Sequence, residues 1–223
     1  IGPENVYCIN MPFTYTSEAT KDLAALTAQA LGVHYKITPI GPIVDAIAQA
    51  SHITPGTLAY ENIQARARME ILAAYTQKIG GVFTCKGKKV EMAFAYGTIY
   101  ADIAGFTMLF GDMVKREVRQ IAEYLNTSIY RRIVIPEACI NQKPSAELNT
   151  RQTDPFDYGY PLRRGYHDEW VRAVTEFRWN PERFLESYIN GTLEQELRLE
   201  TGHLVRLFPT AEDFITDLER HWH

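Results

Sequence analysis

Apolar positions along the chain fall into runs with two different periods. Val6-Tyr7-Cys8-Ile9-Asn10-Met11 is a run of strand formers that stops at Pro12. Ser17 can then cap a helix whose stripe is Ala19, Leu23, Leu26 and Ala30, with Gly32 as a left-handed terminator. Val33 to Ile40 predicts a second strand, and the strand, helix, strand order is that of the crossover unit joining two parallel strands. A helix from about Tyr60 to Gln77 follows, with Ile63, Ala67, Ile71 and Ala74 on one face. Val82 to Cys85 predicts a third strand after Gly80-Gly81. Glu91 to Tyr100 and Asp112 to Leu125 predict helices, the latter with Val114, Val118, Ile121, Ala122 and Leu125 on one side. Ile133-Val134-Ile135, before Pro136, is the last expected strand.

From Asn141 to Pro161 there are three prolines and no period, which predicts a long loop; connections of that length are usually functional or disordered. The pattern beyond is helical. Asn180-Pro181 is a cap with proline at the first helical position, Thr192-x-x-Gln195 has the form of a capping box, and Thr210 precedes a stripe of Phe214 and Leu218. The expected organisation is an α/β core over residues 1–161, a parallel sheet flanked by helices, and a helical extension of the same domain over 162–223.

Composition narrows the classes. The 223 residues are 46% hydrophobic and 22% charged, which excludes disordered and fibrous chains. Basic residues number 23 against 27 acidic, a net charge of −4, and a nucleic-acid binder normally concentrates a basic excess. Cys8, Cys85 and Cys139 are odd in number and lack CxxC spacing, so neither a disulfide framework nor a zinc ribbon is indicated. No apolar run reaches the roughly 20 residues of a membrane span. The start, Ile1-Gly2-Pro3-Glu4, lacks the form of a signal peptide. A soluble, cytoplasmic protein is the expectation.

Candidate chemistry begins with absences. The chain has no GxGxxG, GxxxxGK[ST] or SGGxDS loop to cradle phosphates. The six histidines show no HExxH spacing, and His221 and His223 read as surface residues. Three segments remain. In Glu61-Asn62-Ile63-Gln64-Ala65-Arg66, Asn62 and Arg66 lie one helical turn apart, away from the apolar stripe, and can hold a polar substrate; the plainer alternative pairs Arg66 with Glu70. In Cys85-Lys86-Gly87-Lys88-Lys89-Val90-Glu91, a strand gives way to a helix. Lys86, Lys88 and Lys89 there would strengthen a phosphate site, and Glu91 could hold magnesium or serve as an ordinary first-turn acid. Lys143-Pro144-Ser145-Ala146-Glu147-Leu148, running on to Gln152-Thr153-Asp154, suits a lid over a charged ligand or a solvated loop.

The order of these motifs adds what spacing cannot. E-N-I-Q-A-R-x-R, then G-x-K-x-E, then Y-x-D-x-A-G with Lys115 thirteen residues past Asp102, then K-P-S-A-E-L-x-x-x-Q-T-D resembles the synthetase domain of NAD synthetase, the glutamine-dependent branch more closely. The resemblance implies an amide ligase of the ATP-pyrophosphatase fold group. In such enzymes ATP adenylates the nicotinate carboxylate of deamido-NAD, and ammonia displaces AMP to give NAD. By matched position Asn62 and Arg66 would contact deamido-NAD, Glu91 would bind Mg2+, Lys89, Lys115 and Ser145 would hold ATP, and Met11 would lie near adenine. Lys115 would be the catalytic group. The resemblance further implies a glutaminase domain in the parent chain and a homodimer.

Departures accompany the likeness. Lys86 and Lys88 stand where the family has a threonine and an asparagine, and Ala101 replaces the glycine of Y-G-D. The SGGxDS loop would precede Val6. The expectation is a partial synthetase domain lacking its first strand, with a catalytically impaired nucleotide-binding or assembly module as the alternative.

Overall fold

The computed structural model of the chain describes residues 1–141, 147–149 and 165–222. These divide into two compact units, one of residues 1–88 with the described part of 97–159, the other of residues 89–96 with the described part of 160–223.

The first unit opens with the expected strand, helix and strand. β1 (Tyr7–Asn10) runs parallel to β2 (His34–Ile37), from Tyr7 opposite His34 to Asn10 opposite Ile37. Between them, α1 (Glu18–Leu31) starts at Ser17, whose hydroxyl accepts the Thr20 N–H at 3.2 Å. It ends at Gly32, where φ of 68° lets the chain close back on the Ala28 and Gln29 carbonyls. The buried side of α1 is centred on Ala28, so Leu26 turns outward and is 52% exposed, against the expected stripe.

The strand expected to reach Ile40 stops at Ile37, because Ile40 instead precedes α2 (Gly41–Ala50), with Pro42 in its first turn. Ile40, Val44 and Ala48 pack against Tyr60, Ile63 and Ala67 of α3 (Leu58–Ile79), and Met11, Phe13, Ile43, Ile53 and Ile71 close the edges of this core. Ala74, at the far end of the expected α3 stripe, is exposed.

β3 (Thr84–Cys85) pairs in parallel with β4 (Thr107–Met108), a strand the sequence pattern did not predict. Gly105 lies so close to β3 that a Cβ there would sit 2.4 Å from the Cys85 nitrogen, which accounts for the glycine of the Y-x-D-x-A-G motif. α5 (Lys115–Tyr124) begins after buried Val114, whose N–H donates to the Glu117 carboxylate at 2.9 Å, and continues into a π turn, Leu125–Ile129. The strand expected at Ile133–Ile135 is absent. The Asn126 side chain takes the place of a neighbouring strand: its Oδ1 accepts the N–H groups of Val134 and Ile135 at 2.8 and 2.9 Å, and its Nδ2 donates to the Ile135 carbonyl at 2.7 Å. α6 (Glu137–Asn141) follows Pro136.

In the second unit, α4 (Lys89–Ala93) is much shorter than the helix expected from Glu91 to Tyr100. The chain turns at Ala95, with φ of 50°, and the Tyr96 N–H closes back on the Glu91 carbonyl. α4, with Val90 buried, packs against α7 (Tyr166–Phe177). α8 (Pro181–Ile189) has the expected Asn180 cap, with Oδ1 accepting the Arg183 N–H at 3.0 Å. The capping box expected at Thr192 does not form, because the Thr192 hydroxyl donates to Glu196 within α9 (Leu193–Glu196). α10 (His203–Leu207) starts where Glu194 accepts the Gly202 and Leu204 N–H groups. Thr210 and Asp213 cap α11 (Ala211–Trp222) reciprocally, each side chain accepting the other's N–H.

Tyr166, Phe184 and Phe214 are fully buried here, Tyr188 stacks on Phe214 with centroids 4.1 Å apart, and Trp170 stacks on Phe184. His221, expected on the surface, lies inside against Phe94. No described helix is long and apolar enough to cross a membrane.

Candidate functional site

α3 carries the E-N-I-Q-A-R-x-R motif, and three distant segments of the first unit meet on it. The first contains the Y-x-D-x-A-G motif. The Thr98 hydroxyl donates to Asn62 Oδ1 at 2.7 Å, the Arg66 Nε–H donates to the Ile99 carbonyl at 3.3 Å, and Asp102 Oδ1 accepts the Thr98 N–H at 2.8 Å. Asn62 and Arg66 thus share one face, as one turn of helix dictates, and that face meets a single loop. Among the described residues no ion pair joins Arg66 to Glu70. Arg66 stays exposed, and its two terminal nitrogens have no protein partner among the described residues.

The second segment is the turn after β1. Arg68 donates from Nε to the Met11 carbonyl at 3.1 Å and from Nη1 to the Gln64 carbonyl at 3.3 Å, so the guanidinium pins the end of the strand to the helix. Burial lowers its pKa and the nearby Glu147 carboxylate offsets part of that shift. The Met11 side chain faces the core between α2 and α3.

The third segment is the described end of K-P-S-A-E-L. Glu147 Oε1 accepts the hydroxyls of Ser17 and Thr20 at the start of α1, at 2.9 and 3.1 Å, which places a carboxylate where a helix favours anions. Gln64 donates from Nε2 to the Leu148 carbonyl at 2.9 Å, and the Asn149 amide donates to Glu61. Gln64 is fully buried, and its Oε1 has no hydrogen-bond partner among the described residues. Ser145 and Lys143 lie outside the described residues, as does most of the expected lid.

Thr98, Asp102, Arg68, Gln64 and Glu147 were not among the expected site residues. Asp102, Arg68, Gln64 and Glu147 belong to the four motifs, so motif membership was the available signal for them, whereas Thr98 lies two residues before the third motif and carried none. Lys115 sits at the first position of α5, half-buried and with polar or charged partners of its own. At the β3 end, buried Gly87 donates its N–H to Cys85 Sγ at 3.3 Å, and Lys86 is exposed.

Lys89 and Glu91 belong to the second unit. The Lys89 ammonium pairs with Glu176 at 2.6 Å, and Arg172 bridges Glu176 and Glu169 at 3.4 and 3.2 Å. The hydrogen bond from Lys89 is the main cause holding the Glu176 carboxyl below its ordinary value. Lys89 is therefore already neutralised by a carboxylate rather than presented bare to a phosphate. Glu91 stands half-buried in the first turn of α4. Among the described residues it joins no group of three or more potential metal ligands. A magnesium ion held by one carboxylate and phosphate oxygens needs no such group, so the residue fits that ion.

Comparison with known proteins identifies the family. The family model described as NAD synthase matches residues 1–166. The chain is 37% identical over 214 residues to a glutamine-dependent NAD(+) synthetase of Xanthomonas campestris pv. campestris, covering 89% of this chain and 36% of that protein. It is 33% identical over 167 residues to an NH(3)-dependent NAD(+) synthetase of Trichlorobacter lovleyi, covering 73% of this chain and 56% of that one. Its fold superimposes on the glutamine-dependent NAD+ synthetase of Acinetobacter baumannii, solved with ADP, with a TM-score of 0.61 at 26% identity, covering 97% of this chain and 37% of the other. The chain thus spans about a third of the glutamine-dependent relatives and just over half of the ammonia-dependent one. With one family model covering most of its length, this chain belongs to the NAD synthase family.

Proposed function

We propose that this chain is the ATP-dependent synthetase part of a larger enzyme that converts deamido-NAD to NAD. ATP adenylates the nicotinate carboxylate with release of pyrophosphate, and ammonia, drawn from glutamine in the longer protein, then attacks the acyl carbon and expels AMP. The adenylation is required because a carboxylate is a poor electrophile with no good leaving group, whereas AMP leaves readily. The observation that carries this reading is the convergence on α3, where three segments far apart in sequence are hydrogen-bonded to one helix that itself carries the E-N-I-Q-A-R-x-R motif.

Roles follow from the positions. Arg66 spends one N–H on the Ile99 carbonyl and keeps its terminal nitrogens for the dinucleotide, with Asn62 beside it. Lys115 would neutralise charge developing on the ATP phosphates, the preorganised electrostatic contribution that dominates such transfers. Magnesium, when bound, would shield phosphate charge, and Glu91 is the residue proposed to hold it. Ser145 is proposed as a further ATP contact. A cytoplasmic homodimer remains part of this proposal.

The test is the full-length protein assayed with deamido-NAD, ATP, Mg2+ and ammonia. Arg66→Ala should raise KM for deamido-NAD by ~10- to 100-fold, the worth of a hydrogen bond to a charged group, while KM for ATP changes little. An unchanged KM for deamido-NAD would remove Arg66 from the site. One observation favours the alternative of a catalytically impaired binding module: Lys89 is committed to Glu176. That reading predicts ATP binding by the full-length protein with no NAD formed.

A further inference from the structure

Outside the α3 site, the second unit contains a buried cluster of ligand-type side chains that the proposed reaction does not use. Asp217 and His221 stand one turn apart on α11, so both side chains leave the helix on one face. His167 reaches them from α7, with its Nε2 2.9 Å from Asp217 Oδ2. His221 Nδ1 lies 3.6 Å from the same oxygen, and one ligand atom from each of the three residues falls within 4.8 Å of the others. The Phe94 ring packs edge-on against both imidazoles, with centroids 5.3 and 4.7 Å away.

Two buried polar atoms in this region have no hydrogen-bond partner among the described residues. His221 Nδ1 donates to the Asp217 carbonyl at 2.8 Å, since a carbonyl can only accept. In the neutral ring that bond fixes the proton on Nδ1 and leaves a lone pair on Nε2, the arrangement that metal-ligating histidines adopt. Yet Nε2 has no hydrogen-bond partner among the described residues, although the side chain is only 7% exposed. The Tyr166 hydroxyl, next to His167 and within the influence of the Asp217 carboxylate, is likewise buried without a partner among the described residues. Such orphaned groups normally mark a bound ion or water.

We propose that His167, Asp217 and His221 form a site for a divalent transition-metal ion of the zinc type, linking α7 to α11. Two imidazoles and one carboxylate make a borderline donor set that suits zinc better than magnesium or calcium. Bonds of about 2 Å to zinc would separate tetrahedral ligands by roughly 3.4 Å, near the 2.9 Å already present between His167 Nε2 and Asp217 Oδ2. The metal replaces the proton that His167 Nε2 shares with Asp217, and that proton leaves to solvent. A fourth position would fall to water.

The experiment is titration of the full chain, stripped with chelator, with zinc chloride at mildly alkaline pH, followed by calorimetry and thermal melting. One equivalent should bind and raise Tm. Asp217→Asn and His221→Gln should each weaken binding at least tenfold, whereas His223→Ala should leave it unchanged. Absence of stoichiometric binding overturns the site, as does affinity retained in both variants. Should the variants fail to fold, zinc-edge X-ray absorption of the wild-type protein decides: imidazole scattering with only light ligands supports the site, and sulfur ligation, placing zinc on Cys8, Cys85 or Cys139, overturns it.

Discussion

The two units use the same helical material for different ends. In the first, α3 spends its polar positions, from exposed Arg66 to fully buried Gln64, on bonds to loops: Asn62 to Thr98, Arg66 to Ile99, Gln64 to Leu148 and Arg68 to Met11. In the second, α7 buries aromatic rings, with Tyr166, Trp170, Phe184 and Phe214 joined edge to face or stacked. Polar bonds to loops fix positions and contribute about 1 kcal/mol each, whereas a buried ring contributes several times more but specifies no ligand. The first pattern holds a site in place and the second holds a fold together. Damage to one should therefore read out in kinetics, and damage to the other in stability.

The largest expected effect is on the aromatic side. Phe214→Ala removes a ring with no exposure, stacked on Tyr188, and should cost about 3–5 kcal/mol, measured as the denaturant midpoint of the second unit. A loss below about 1 kcal/mol would mean that the stack is not the source of that unit's stability. Next comes Arg68→Ala. Two bonds from a charged group to the Met11 and Gln64 carbonyls should make it cost about 2–3 kcal/mol, and in the full-length protein turnover should fall by more than the stability loss accounts for. Equal falls in stability and activity would erase the contrast between the units. Smaller still is Asn180→Ala, about 1 kcal/mol from a lost cap, read as a fall in Tm with helix α8 otherwise intact.

The smallest effect concerns pH. Lys89 holds the Glu176 carboxyl below its ordinary value, so the pair adds stability that is present above the ordinary carboxylate range and is lost as pH falls through the lowered value. Glu176→Gln should flatten the acid side of the stability profile slightly. An identical acid limb in the variant would show that solvent screening leaves the pair without net effect.

Local signals in the sequence were read correctly where one residue acts on its own neighbours. Ser17, Gly32, Asn180 and Thr210 mark helix ends in the sequence, and all four do so in the structure. The spacing of Asn62 and Arg66 likewise placed them on one face. Signals failed where a competing partner decided the outcome. The strand expected from Val33 to Ile40 ends early because Pro42 fits the first turn of a helix, and the recurrence of Ile40, Val44 and Ala48 at intervals of four is the period of α2. Ile133-Val134-Ile135 has the residues of a strand, yet Asn126 supplies its hydrogen bonds. His221 read as a surface residue from its place near the end of the chain, a position that says nothing about the fold of α11 around Phe94. At the site, the motif residues were visible, but the anchoring roles of Gln64, Arg68 and Glu147 required the distant segments to be brought together.

The Asn126 arrangement also has a kinetic consequence. Val134 and Ile135 both donate to one oxygen on a rotatable side chain, so a single rotamer change of Asn126 releases both amides at once. Their protons should exchange with deuterium as a correlated pair, with a protection set by that one opening rather than by unfolding of either unit. In a ladder between two strands the same two amides would face opposite ways and be guarded independently.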